Sequence, residues 1–286
     1  MIGERMRSNA MSVVLAATTT LVGIGSAHAE MRYNMPEGVT EISRGVHDLH
    51  MAMFWICVAI GALVFSAMLY SIIRHRKSSG AEPAHFHENT AIELIWTIIP
   101  FAILVVMTIP AAGMLIKMDD TSSPDMTIKI TGYQWKWHYD YLDENVSFYS
   151  ALAQDSNAAR QLGAQIDLES VDHYLLNVDH PVVVPIGQKI RFLITSNDVI
   201  HAWWVPELAV KKDAIPGFIN EFWAQIDVPG VYRGQCAELC GRDHGFMPVV
   251  VEAKTPEEYA AWLEAQRAEK PQQTTMHAES TLVAAR

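Results

Sequence analysis

Cysteine is nearly absent: Cys57, Cys236 and Cys240 are the three in 286 residues. No Cys-x-x-Cys-His run occurs, so the chain carries no attachment site for a c-type haem. Basic side chains are also few, 21 Lys and Arg against 32 Asp and Glu, for a net charge of −11. Residues 1–117 hold eight of each sign, so residues 118–286, with 13 basic and 24 acidic side chains, carry the whole excess. An acidic surface is a poor match to nucleic acid and steers basic partners, although ordinary solubility favours it too. Asp, Glu, Lys and Arg are missing altogether from residues 49–73 and 94–116, and no internal repeat runs through the chain.

About 20 apolar residues cross a bilayer core, so each uncharged run predicts a transmembrane helix. Arg74-His75-Arg76-Lys77 lies between them, and the positive-inside rule puts that loop in the cytoplasm and both other ends in the periplasm of a bacterial inner membrane. Residues 1–29 read as a signal peptide: Arg5 and Arg7, an apolar stretch from Met11 to Ile24, then Ala27-His28-Ala29 as a small-x-small cleavage site. A short extra anchor is the alternative, with Thr18 to Thr20 weakening the apolar stretch. Pro100 and Pro110 predict a bent second helix packed on a larger membrane partner. Cys57, in the middle of the first span and without ligand neighbours, reads as packing.

From residue 118 the pattern changes to short alternating runs at 126–130, 133–139, 189–194 and 231–233, with turn signals at Pro185-Ile186-Gly187 and Pro229-Gly230. An all-β, cupredoxin-like Greek-key sandwich or barrel over 118–268 is expected. Residues 151–170 read as an inserted surface loop. Thr255-Pro256-Glu257-Glu258 reads as the start of a closing helix reaching about residue 268. Residues 269–286 are expected to be a disordered tail.

The most informative stretch is Cys236-Ala237-Glu238-Leu239-Cys240-Gly241-Arg242-Asp243-His244-Gly245-Phe246-Met247, with His201 upstream. Two thiolates, two imidazoles and a thioether form a soft ligand set suited to copper. Cys240, His244 and Met247 follow the intervals of a cupredoxin ligand loop, and His201 supplies the distant ligand. Cys236 is then one thiolate too many for a single copper. A second copper uses it: two thiolates bridging two ions, each also holding one His, with Met247 and a backbone carbonyl as weak axial ligands. A Cys236–Cys240 disulfide, a two-Cys, two-His zinc site and a mononuclear copper site remain as alternatives.

His201-Ala202-Trp203, Asp213-Ala214-Ile215-Pro216-Gly217 and Gly234-Gln235-Cys236-Ala237-Glu238-Leu239-Cys240-Gly241 through Pro248 resemble subunit II of the haem–copper cytochrome c oxidases. The likeness runs from about residue 40 to about residue 265. It implies a dinuclear copper A centre that accepts single electrons from cytochrome c and passes them to haem in subunit I. There oxygen is reduced to water with proton pumping; subunit III is a further expected partner. Under the resemblance, the Glu238 carbonyl ligates copper and its carboxylate binds a magnesium or manganese ion shared with subunit I. Trp135, in Tyr133-Gln134-Trp135-Lys136-Trp137, becomes the point where electrons arrive. Asp140, Asp179 and Asp198 become docking carboxylates for cytochrome c, and Glu93 a cytoplasmic proton-uptake acid.

Each residue also has a plainer reading. Glu238 is a solvated loop acid, Trp135 and Trp137 are core, and the aspartates are turn or strand-end residues, Asp198 also bonding around His201. Glu93 is then an acid favoured by a helix macrodipole. Three positions depart from the family pattern: Asn197 where an acid is frequent, Phe218 where Arg usually follows Pro-Gly, and Trp204 where a small residue is common. Competing functions are a quinol oxidase subunit, which lacks these ligands, a copper-delivery or storage protein, whose sites are open, and a subunit of a copper-containing nitric oxide reductase.

Overall fold

A computed structural model describes residues 34–82 and 87–268; the expected signal peptide and tail lie outside the described residues. By internal contacts the chain divides into Met1–Asn34 and Met35–Arg286, and the account below concerns the second unit.

Two long helices come first, α1 (Glu41–Arg74) and α2 (Thr90–Asp119). At 1.5 Å per residue they run about 51 and 45 Å, well beyond the ~30 Å hydrocarbon core. Both exceed the uncharged windows because caps, not charge, set their ends. Thr40 and Ser43 form a reciprocal capping box at 2.9 Å, and Asn89 Oδ1 accepts the Ile92 N–H at 3.2 Å. The first turn of α1 leaves the apolar span and packs on the β-domain, burying Ile42 and Ser43. Arg44 pairs with Asp227, Glu41 with Lys117, and the Trp223 indole donates to the Lys117 carbonyl at 3.1 Å. α2 continues through Pro100 and Pro110 without a break in the helix. Leu63, Phe65, Phe101 and Ile109 stand outward, as does Cys57, so that thiol does not pack inside the chain.

Ten strands follow: β1 (Met126–Tyr133), β2 (Lys136–Tyr141), β3 (Val146–Ser150), β4 (Val182–Pro185), β5 (Ile190–Ser196), β6 (His201–Val205), β7 (Val210–Ala214), β8 (Asn220–Ala224), β9 (Gly230–Cys236) and β10 (Pro248–Lys254). They form two sheets, ordered β3-β2-β1-β5-β8 and β4-β10-β9-β6-β7. The β1–β5 and β4–β10 pairs are parallel and the others antiparallel. This is the expected cupredoxin-like sandwich. Period-two burial produces it: Trp137, Tyr139 and Tyr141 of β2 and Ile190, Phe192 and Ile194 of β5 point inward. They meet Trp203, Val205, Val249 and Val251 of the other sheet. Phe192 stacks on Phe222 at 4.9 Å and on Trp203 at 5.8 Å. Each large apolar side chain so buried contributes about 1.5–3 kcal/mol.

The expected run at 133–139 is broken. Tyr133 pairs with Lys136 across a two-residue turn, so Gln134 and Trp135 sit at a hairpin tip while Trp137 enters the core. The two tryptophans therefore do not share a strand face. The 151–170 segment is mainly exposed, yet it carries a short helix, α3 (Gln154–Ala159), whose Ser156 and Ala159 are buried. The closing helix occupies residues 256–268, capped by Thr255, whose hydroxyl accepts the Glu258 N–H at 3.3 Å.

Candidate metal centre

Strand pairing gathers the candidate ligand residues at one end of the β4-β10-β9-β6-β7 sheet. His201 opens β6, Cys236 closes β9, and Met247 immediately precedes β10. The β9–β10 register sets Gln235 opposite Pro248, and the Cys236 N–H donates to the Met247 carbonyl at 2.9 Å. A second bond, Ala237 N–H to Ala202 O at 2.9 Å, ties the same point to β6. The loop between them carries Cys240 and His244.

The donors converge. Cys236 Sγ lies 3.8 Å from Cys240 Sγ and 3.9 Å from His201 Nδ1. Cys240 Sγ lies 3.5 Å from His244 Nδ1. The Glu238 carbonyl is 3.4 Å from Cys236 Sγ. His201 is 0% exposed, Met247 1%, Cys240 2% and Cys236 3%, so four of the five side chains are closed off from water. Both cysteines are free thiols, which sets the disulfide alternative aside for this structure. Each sulfur has its own imidazole nitrogen, Cys236 with His201 and Cys240 with His244. The soft donor set fits copper, and His201, Cys236 and Cys240 place their ligand atoms within 4.8 Å of one another.

Electrostatics distinguish the two thiols. Burial raises the Cys236 pKa, but hydrogen bonds from His201 and from neighbouring backbone outweigh it and bring the thiol down to about 7. Cys240 is pushed up to about 12 by burial and then by the charge on Cys236. His201 is raised despite burial, because Cys236 and Asp198 both stabilise its charged form. Its Nε2 lies 2.9 Å from Asp198 Oδ1. Burial works against ionisation of Asp198, yet His201 and the Val199 and Gln134 N–H groups hold its carboxyl below the ordinary range. A metal-ligating His is commonly oriented by such a carboxylate.

Other contacts around the ligands were not legible beforehand. Gln134 Nε2 and Trp135 Nε1 both donate to the Cys240 carbonyl, at 2.8 and 3.3 Å. The Trp137 ring sits edge-on to His201 at 5.9 Å. Gly132 is required by proximity: a Cβ there would come within 2.8 Å of His201 Cδ2. Gly241 has φ +118°, a conformation open to glycine, and lies against Gln134 and Trp135. Glycine beside an aromatic hairpin was the available signal, and only the fold pairs it with the ligand loop.

The remaining residues are spread out. The Glu238 side chain is exposed while its carbonyl faces the sulfur. Asp179 is exposed and accepts the Ala151 and His180 N–H groups, both at 2.8 Å. Asp140 lies on β2 opposite Lys129. Asn197 bonds through its backbone to the Gly132 carbonyl at 3.0 Å. Trp204 does not pack beside His201: it alternates to the outer face, under the Lys211 ammonium at 4.5 Å. Phe218 is exposed in the turn after Gly217. Glu93 lies in the first turn of α2, its carboxylate accepting the Asn89 N–H at 3.4 Å. That is the far end of the helix from the β-domain.

Comparisons with known proteins cover both parts of the chain. The model for the cytochrome C oxidase subunit II periplasmic domain matches residues 126–254, and that for its transmembrane domain matches residues 28–114. A probable cytochrome c oxidase subunit 2 of Rickettsia felis is 40% identical over 223 residues, 78% of this chain and 68% of that protein. Cytochrome c oxidase subunit 2 of Arabidopsis thaliana is 39% identical over 228 residues, 79% of this chain and 86% of that one. The crystal structure of the periplasmic domain of cytochrome oxidase subunit II of Bradyrhizobium japonicum is 40% identical. It covers 52% of this chain and 98% of its own, with a TM-score of 0.46.

Proposed function

The chain belongs to the cytochrome c oxidase subunit II family, and we propose that it accepts electrons from cytochrome c and passes them to haem in subunit I. The observation that carries this reading is the pair of thiols 3.8 Å apart, each with its own imidazole nitrogen at 3.9 or 3.5 Å. Two copper ions would be held there by His201, Cys236, Cys240, His244, Met247 and the Glu238 carbonyl. Bound copper supplies a one-electron couple. The protein holds the ligands in place and keeps water out, so little rearrangement accompanies each electron.

Trp135 is the accepting point. Its indole is half-buried and bonded to the Cys240 carbonyl, which gives a short through-bond route from the surface to a ligand sulfur. Asp198 orients His201, and with Asp140 and Asp179 it contributes to an acidic docking face. The exposed Glu238 carboxylate binds magnesium or manganese at the boundary with subunit I. The hairpin spans the bacterial inner membrane against subunits I and III, with residues 118–268 as the periplasmic domain. Glu93 then faces the cytoplasm and collects protons for subunit I, where oxygen is reduced to water and protons are pumped.

The deciding experiment is metal analysis and electron paramagnetic resonance of the copper-loaded full-length protein. Two coppers per chain with one electron shared over both nuclei are expected. A four-line, single-copper spectrum from fully loaded protein overturns the dinuclear reading.

A further inference from the structure

We propose that Arg160, in the inserted segment before β4, is a positioning residue for the ligand loop, setting where His244 and Met247 meet copper. The proposal rests on the dinuclear reading above. The loop from Cys236 to Met247 is anchored at both ends and at Cys240 by Gln134 and Trp135. Between Gly241 and Phe246 the attachments are different. Gly241 has positive φ, Arg242 is largely exposed, and a Cβ on Gly245 would meet nothing within 4 Å. The stretch closes on itself, with the His244 N–H donating to the Gly241 carbonyl at 3.3 Å and the Phe246 N–H to the Asp243 carbonyl at 3.0 Å, so His244 sits on a tight turn whose placement in the domain is set by what its side chains meet.

Arg160 holds that stretch from both sides of the ligand. One guanidinium nitrogen lies 3.5 Å from Asp243 Oδ2, with the two side chains 21% and 16% exposed. The guanidinium carbon lies 4.3 Å above the Phe246 ring. Asp243 directly precedes His244, and Phe246 directly precedes Met247. A planar cation that is at once ion-paired and stacked is a task for Arg rather than Lys. Arg160 is itself aimed by Asn157, whose Oδ1 accepts from Nε at 2.7 Å. It sits at the C-cap of α3, the short helix whose Ser156 and Ala159 are buried. The insertion thus reaches the ligand loop through Arg160.

The partial burial matters. Fully exposed pairs contribute little, but here Asp243 is largely shielded, and its other basic contact, Arg242 Nε at 3.5 Å, comes from a side chain 81% exposed. Removing Arg160 frees Phe246 and leaves Asp243 with that weaker partner. His201 has no dependence on this contact, because Asp198 braces it separately.

The test compares wild type with Arg160→Ala, Arg160→Lys and Asp243→Asn in the full-length, copper-loaded protein. Readouts are copper release to a chelator, the copper hyperfine pattern and the reduction potential. Arg160→Ala is expected to release copper about tenfold faster, in line with the loss on removing an outer-sphere partner of a metal site, and to shift the hyperfine pattern. Arg160→Lys, keeping charge without the flat stack, and Asp243→Asn, keeping the stack without the pair, should each fall between. If Arg160→Ala loads two coppers and matches wild type in release and spectrum, the positioning role is overturned. If Arg160→Ala fails to fold, Asp243→Asn decides by the same readouts. Failure of wild type to load two coppers sinks the dinuclear reading instead.

Discussion

Trp135 donates its indole N–H to the carbonyl of Cys240 at 3.3 Å, so a residue at a hairpin tip is bonded directly to the backbone of a candidate metal-ligand residue. The Arg242 guanidinium lies 5.5 Å from the same ring. Trp137, two residues on, is fully buried. One tryptophan faces the surface and the other supports the core.

Trp135→Phe should therefore slow reduction by cytochrome c while leaving copper content unchanged. Phe retains a ring over Gly241 but loses the N–H donor, and Gln134 still holds the Cys240 carbonyl. Stopped-flow mixing separates the effects: a slower fast phase with an unaltered copper spectrum is expected. Wild-type rates would return Trp135 to a packing role.

Much of this architecture was legible in the sequence, and the rest was not for definite reasons. Apolar runs without charge located both helices, yet their ends moved outward to Thr40 and Asn89 because capping side chains stop a helix. The spacing of Cys236, Cys240, His244 and Met247 pointed to the candidate loop ligands, since those residues are close in the chain. Gln134, Gly132 and Arg160 could not be named, because each reaches the site from another strand or from the insertion. Alternation made Trp135 and Trp137 look like one face. A two-residue turn between β1 and β2 separates them, and no Gly or Asn at 134–135 announced it.

Asp198 differs from Asp140 and Asp179, and mutation should separate them. Asp140→Asn with Asp179→Asn should weaken association with cytochrome c and flatten its salt dependence, by about 0–1 kcal/mol per charge, with the copper spectrum native. Asp198→Asn should change the spectrum, because His201 Nε2 loses its carboxylate partner at 2.9 Å. Salt titrations of association and electron paramagnetic resonance check both. A native spectrum in Asp198→Asn would show that the carboxylate does not tune the ligand.

The closing helix carries a pH-dependent cap. The Thr255 N–H and hydroxyl both bond Glu258, at 3.0 and 3.1 Å, and the backbone bond first, then the side-chain bond, lowers the Glu258 pKa below 4.5. A lowered folded-state value means the stabilisation is present above the unfolded pKa and is lost as pH falls through the folded one. Glu258→Ala should thus melt below wild type at pH 7, with the gap closing under acid conditions below 4.5. Thr255→Ala should cost about 1 kcal/mol, the usual loss at an N-cap. Thermal unfolding across pH tests this, and a gap that widens on acidification reverses the sign argued here.

Glu93 offers a separation between the two ends of the molecule. It lies in the first turn of α2, whereas Lys117, in the last turn, carries the Trp223 contact to the β-domain. Twenty-four residues of helix place the two about 36 Å apart, too far for a carboxylate to act on copper. The Asn89 N–H bond at 3.4 Å is long, and Glu93 is exposed. Glu93→Ala should lower steady-state oxygen turnover in the assembled complex, while the first electron from cytochrome c arrives at the wild-type rate and the copper spectrum stays native. Asn89 still caps the helix through Ile92, so the fold should hold. Glu88, exposed and ahead of the cap, is the control, and Glu88→Ala should be nearly silent. Turnover at the wild-type rate in Glu93→Ala, or loss of copper from it, reduces Glu93 to an acid favoured by the helix terminus alone.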